Sequence, residues 1–292
     1  MVTRIDNISD TLQRGIHTLL GSQRKGPHRL KNLLHGTPLK HPAHPAIVSV
    51  PIGALVVAAT FDALWLSNRK RFGWATRASR AATFVGAAGA VGAIATGLAD
   101  WSDTNGEPRR LGLLHGALNI SAFGLFVTSA ALRQRRREGD SVAAATLGFV
   151  GTGILGITGY IGGEIAYKYG VGVNHTAWEE PATDFVAVMP LADLPERTLT
   201  RGLANGIPIV LVREHDDTIT VLDATCTHAG GPLDQGTLDG DAVVCPWHHS
   251  RFCLRDGQVL DGPATTAEPR YDVRIRNGAI EVKRTAEHAL VR

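Results

Sequence analysis

Two short segments near the C-terminal end of the chain carry the residues best suited to hold metal. Cys226-Thr227-His228 and Cys245-Pro246-Trp247-His248 each pair a thiol with an imidazole, with residues 229–244 between them. Two thiolates and two imidazoles suit a two-iron, two-sulfide cluster in which the thiolates hold one iron and the imidazoles the other. Neutral nitrogens in place of two anionic sulfurs lower the negative charge of such a site and ease its reduction, so the chemistry implied is transfer of single electrons. The same four donors also suit a tetrahedral zinc ion, and the residue types alone leave that reading open.

The flanks favour iron and sulfur. The first segment continues as Ala229-Gly230-Gly231-Pro232-Leu233 and the second as His249-Ser250-Arg251-Phe252, followed by Asp256-Gly257 and a Gly262-Pro263 turn. That string resembles the Rieske ferredoxin family, from about Asp184 to Arg284. The resemblance implies a [2Fe-2S] cluster with Cys226, His228, Cys245 and His248 as ligands, two ligand loops at one tip of a small all-β domain, and Pro263 on a third loop shielding the cluster. High-potential relatives add a cysteine to each loop as a disulfide brace, where this chain has Gly231 and Trp247. They also have a tyrosine that donates to a ligand sulfur, where this chain has Phe252. Fewer donors to sulfur leave more electron density on the cluster, so the expected potential lies in the lower part of the range of roughly −150 to +300 mV. Ser250 stands where relatives bond a bridging sulfide, or is a turn serine capping its own backbone. His249 replaces the usual glycine; positive φ is costly there, though His bears it better than a β-branched residue, and a slightly different bend of the loop is expected. Cys253 reads as a half-buried strand residue.

The elements around these loops read as short strands. Phe185–Val188, Ile207–Val212, Thr218–Leu222, Ala242–Val244, Val259–Leu260, Tyr271–Ile275 and Ala279–Val282 are β-branched or apolar runs separated by Asn205-Gly206, Asp239-Gly240, Asp256-Gly257 and Asn277-Gly278 turns.

The first half has a different composition, rich in Gly, Ala, Val, Leu and Ile. Four apolar stretches, about Ala46–Leu66, Ala81–Trp101, Leu111–Leu132 and Val142–Ile165, each approach the ~20 residues that cross a bilayer. No continuous apolar signal segment precedes them. Glycines at close spacing in the second and fourth let helices approach in lipid, and the expected object is a four-helix transmembrane bundle. Lys and Arg are denser in the loops after spans one and three (Arg69, Lys70, Arg71, Arg77, Arg80; Arg133, Arg135, Arg136, Arg137) than at the opposite ends (Arg29, Lys31, Lys40, Arg109, Arg110, Lys168). That bias expects the C-terminal domain on the extracytoplasmic side of the cell membrane, although Arg14, Arg24 and Lys25 count against it.

With four spans, the start of the first, the end of the second, the start of the third and the end of the fourth are expected on the C-terminal domain's side of the membrane, and ionisable residues gather there: His41 and His44 in His41-Pro42-Ala43-His44-Pro45, Asp100 and Asp103, His115, Glu164 and His175. Polar groups at membrane depth tend to mark function. His41, His44, His115 and His175 are therefore candidates for a second site taking a haem, a quinone or a metal ion, the plain alternative being helix ends that meet headgroups. Asp62 is the outlier within span one. The His-Pro-x-His-Pro opening, Gly97-Leu98-Ala99-Asp100-Trp101 and Leu114-His115-Gly116 resemble a DUF2231-like family of bacterial membrane domains over about Gly36 to Lys168, which implies a membrane domain and no particular activity.

With 292 residues, the chain is expected to comprise a basic N-terminal segment (1–40), the membrane domain (41–168), a linker (169–183), the Rieske domain (184–284) and a tail (285–292). A net charge of +3 gives no reason to expect nucleic acid, and no phosphate-binding glycine motif appears. The expected function is a bilayer-anchored electron carrier between redox donor and acceptor proteins that the sequence does not identify. The alternatives are the electron-transfer subunit of a membrane oxidoreductase and a redox or metal sensor.

Overall fold

The computed structural model describes residues 4–21, 28–135, 141–181 and 183–286. They form two compact units, one from residues 4–21 and Pro42–Val171, the other from 28–41 and 172–286.

In the first unit the four apolar stretches are helices: α3 (Ala43–Ser67), α4 (Ala75–Ser102), α5 (Gly106–Gln134) and α6 (Val142–Tyr167). Each is long and apolar enough to cross a membrane. Helices α4 and α5 run well past their apolar runs because flanking residues such as Arg77, Arg80, Glu107 and Arg133 remain good helix formers. Helix α3 packs on α4 and α5 on α6, and the ring closes through α4–α5 and α3–α6, so α3 and α5 lie on a diagonal.

The two hairpins repeat one another. His44, Leu55 and Asp62 of α3 correspond at one constant offset to His115, Phe126 and Arg133 of α5, while Gly86, Ala93 and Gly97 of α4 correspond likewise to Gly151, Thr158 and Gly162 of α6. Contacts repeat with the residues. A methyl group on Gly86 would come within 2.5 Å of Leu55, and one on Gly151 within 2.7 Å of Phe126, so glycine is what lets each pair of helices close. Phe84-Val85-Gly86 recurs as Phe149-Val150-Gly151.

Arg133, expected as a loop charge, is instead buried within α5 and bidentate to Asp62, at 2.9 and 2.5 Å. A charge at that depth is tolerated only with a partner, and the pair settles why Asp62 stands in an apolar span.

Helix α1 (Arg4–Leu19) was not foreseen. Its polar face turns inward. Asp6 accepts hydrogen bonds from Arg109 and Arg110, and Gln13 donates to the carbonyls of Trp101 and Thr104. Ile5, Ile8, Leu12 and Leu19 face outward, a stripe at helical spacing.

The second unit is mostly β. Strands β1 (Val186–Pro190), β10 (Ala279–Arg284) and β9 (Tyr271–Arg276) form one antiparallel sheet, and β2 (Thr200–Ala204), β3 (Ile207–Arg213) and β4 (Ile219–Asp223) another. Strands β5 (Thr237–Asp239), β6 (Ala242–Val244), β7 (Arg251–Cys253) and β8 (Val259–Asp261) form the third. Asn205 and Gly206 both take positive φ, the geometry of a two-residue hairpin turn, and join β2 to β3. One apolar core, including Val210, Leu222, Leu233, Val243 and Phe252, lies directly under the two cysteines.

Residues 28–41 belong to this unit. Helix α2 (Arg29–His35) ends at Gly36 in the left-handed region (φ 87°) and docks on the loop after β8. Asn32 Nδ2 donates to Asp261 Oδ1 (2.6 Å), its Oδ1 accepts from the Gly262 amide (2.9 Å), and His28 Nδ1 lies 2.7 Å from Asp261 Oδ2.

Candidate metal centre

Each Cys/His pair sits on a tight loop closed by its own backbone. In the loop from β4 to β5 the Cys226 amide donates to Gly231 O (2.9 Å) and the Gly230 amide to Cys226 O (2.8 Å). Between β6 and β7 the Cys245 amide donates to Ser250 O (2.9 Å) and the His249 amide to Cys245 O (3.1 Å). His249 takes φ 62°, as its glycine-like position requires.

Folding brings the two loops together with the donors sorted by type. Cys226 and Cys245 are 1 % and 2 % exposed, and their sulfurs share a hydrogen bond that pushes the Cys226 thiol up and brings Cys245 down to about 7. The His228 and His248 rings stand edge to face with centroids 5.0 Å apart, half-buried at the surface. Among the described residues no three His, Cys, Asp or Glu side chains converge as a mononuclear site requires. The donor set therefore fits a two-metal cluster, with sulfurs inside and nitrogens outside, better than a tetrahedral zinc.

Gly231 and Trp247, at the expected brace positions, do meet. A Cβ on Gly231 would lie 2.8 Å from Cys245 Sγ and 3.2 Å from the indole, so the ring covers the loop by contact. All three cysteines are free. Ser250 is buried and its Oγ accepts from the Ala264 amide (3.0 Å), tying the second ligand loop to the third and leaving its own O–H to donate elsewhere. Phe252 is in the core and Cys253 is half-buried on β7.

Two acids behind the first loop were not foreseen. Glu268 is buried, its Oε1 accepts from the Thr227 amide (2.7 Å), and burial pushes its pKa well up. Asp223 accepts from the Tyr271 hydroxyl (2.7 Å) and pairs with Arg284 (3.0 Å). Burial and a hydrogen bond with Glu179 outweigh those partners and push Asp223 up to about 8.

The four histidines of the expected second site fall in different units. His44 and His115 lie in the helical bundle. His41 and His175 belong to the β-rich unit, where the His175 amide donates to Thr227 O (3.2 Å) and its ring lies beside Gly230 of the first ligand loop.

Two family models match the chain: "Predicted membrane protein (DUF2231)" over residues 40–175 and "Rieske [2Fe-2S] domain" over residues 184–277. The chain is 29% identical over 98 residues to the ferredoxin CarAc of Metapseudomonas resinovorans, which is 34% of this chain and 92% of that protein. It is 32% identical over 92 residues to the 3-phenylpropionate/cinnamic acid dioxygenase ferredoxin subunit of Escherichia coli K12, 31% of this chain and 85% of that subunit. Among solved structures it is similar to the ferredoxin of carbazole 1,9a-dioxygenase from Nocardioides aromaticivorans IC177, with 27% identity and TM-score 0.33 over 35% of this chain and 98% of that one.

Proposed function

We propose that this chain, which belongs to the Rieske [2Fe-2S] family, is a membrane-anchored carrier of single electrons whose cluster is held by Cys226 and Cys245 on one iron and by His228 and His248 on the other. The observation that carries the assignment is the sorting of donors at one tip, with touching buried sulfurs beneath paired imidazoles. When bound, the cluster supplies a one-electron couple.

The remaining work belongs to the chain. Burial of both sulfurs keeps water from the cysteine side. The half-buried imidazoles leave ring edges at the surface as the port for electrons. Ser250 has an O–H to offer a bridging sulfide, and Trp247 on Gly231 holds the loops at the positions where high-potential members of the family have a disulfide. The curated relatives named above are ferredoxins, one of them a dioxygenase subunit, which supports an oxygenase-class acceptor for this chain. Four apolar helices supply the anchor. With Arg133 withdrawn into the bundle, the loops after spans one and three keep eight Lys and Arg against six beside the opposite span ends, Arg14, Arg24 and Lys25 left aside, which supports the cluster domain outside the cytoplasm. A C-terminal phosphatase fusion, active only outside, tests that side.

Low-temperature EPR of the dithionite-reduced, detergent-solubilised protein tests the main reading. A Rieske-type signal lost in His228→Ala and in His248→Ala is expected. A silent sample containing zinc and no iron, or a signal unchanged in both variants, overturns it.

A further inference from the structure

The bundle presents two histidines in a form made for ligation. His44 on α3 and His115 on α5 are repeat-equivalent residues on the diagonal of the four-helix ring, within electrostatic reach of each other. Along the same diagonal Leu55, Ala122 and Phe126 pack together and Asp62 pairs with Arg133, so the core is filled below the histidines.

The two rings are held alike. His44 Nδ1 lies 3.0 Å from Ala93 O and 3.2 Å from Thr96 Oγ1, whose own hydroxyl donates to Gly92 O, and His115 Nδ1 lies 3.0 Å from Thr158 O. A carbonyl only accepts, so each Nδ1 carries the proton, and the lone pair of each neutral ring is on Nε2. This is the tautomer, with the backbone partner, that metal-bound imidazoles use. Each ring is also pinned over a glycine. A Cβ would come within 2.8 Å of His44 at Gly97 and within 3.3 Å of His115 at Gly162. The hydrogen bonds of both rings among the described residues are made through Nδ1, none through Nε2.

Two imidazoles do not make a site for a bare ion such as zinc, which needs three or four protein donors, and no third His, Cys, Asp or Glu joins them among the described residues. A quinone carbonyl needs a donor, and Nε2 in this tautomer has no proton to give. A planar group that brings four nitrogens of its own and lacks only axial ligands fits, and cofactors of that kind sit between facing helices of bundles. We propose that this domain binds one haem, its iron held axially by Nε2 of His44 and Nε2 of His115. The chain would then hold a second one-electron centre besides its cluster.

The test uses the full chain, expressed with added hemin, solubilised in detergent and examined by visible absorption before and after dithionite, with the Rieske EPR signal recorded on each sample. A Soret band and the sharp reduced bands of a bis-histidine haem are expected, lost in His44→Ala and in His115→Ala but kept in His41→Ala. The EPR signal should persist in every variant, and each variant should elute from size exclusion in detergent as the same single species, showing that loss of haem is not loss of fold in either unit. Replacement of His115 by Met, which retains an axial donor, is expected to keep haem with a shifted spectrum. The proposal fails if the unaltered protein carries a full cluster signal and no Soret band after hemin supply, or if haem is retained undiminished in both alanine variants.

Discussion

Phe252 is the residue at which the cluster's potential is most open to test. It is fully buried in the same core as Cys226 and Cys245 and offers no donor to either sulfur. The midpoint potential should therefore lie in the lower part of the family range, and a measured value above about +200 mV would contradict this account. Phe252→Tyr supplies a hydroxyl. If it adds about 1 kcal/mol to the reduced state, protein-film voltammetry should show a rise of roughly 40 mV on a one-electron couple. Asp223 gives a second reading at this scale. Its folded pKa of about 8 lies far above the ordinary carboxylate range, so the native state keeps a proton that the unfolded chain has already lost. Stability should fall as pH rises from about 4 to about 8 and level off beyond. Asp223→Asn should flatten that slope in thermal unfolding measured against pH. The cysteines and histidines were legible because ligand spacing is a local property of the chain. Glu268 was not, because a glutamate before Pro269 reads as a solvated loop until the fold closes the chain over it.

At the scale of elements, the strap formed by α2 lies outside the two stretches that the family models match. Asn32 serves both Asp261 and the Gly262 amide, and so holds the loop carrying Pro263. Asn32→Ala leaves a buried carboxylate short of one partner and an amide without any, which should cost about 1–3 kcal/mol. The expected readout is a lower unfolding midpoint of the cluster-bearing unit and faster loss of its visible colour. An unchanged midpoint and rate would reduce the strap to a passive contact. Helix α2 escaped sequence reading because Arg29–His35 is too short to show a period. Strand β2 escaped because Gly202 interrupts a short run and only its pairing with β3 defines it. The α1 stripe of Ile5, Ile8 and Leu12 was visible in principle, but a search for a continuous apolar signal segment passes over an amphipathic one. The four spans were plain, since length and composition alone decide them.

At the scale of the whole molecule, the repeat makes the two halves of the membrane domain interchangeable in a way no single span reveals. Asp62 and Arg133 occupy equivalent positions of α3 and α5, so their charges are the main asymmetry at that end of the diagonal. Removing one partner strands the other in an apolar bundle, and Asp62→Leu or Arg133→Leu should each cost about 3–5 kcal/mol. Exchanging the charges is a sharper test. Asp62→Arg and Arg133→Asp alone place two like charges face to face, whereas the double exchange restores one pair across the same diagonal. Restoration will be partial, because Arg133 Nε lies 3.2 Å from Ser129 Oγ while the repeat-equivalent residue behind position 62 is Ala58. In detergent, the thermal midpoint of the double exchange should therefore lie above that of either single exchange and below that of the unaltered protein. If the double exchange is no more stable than the singles, the hairpins are alike in spacing only, and the halves of the bundle cannot stand in for each other.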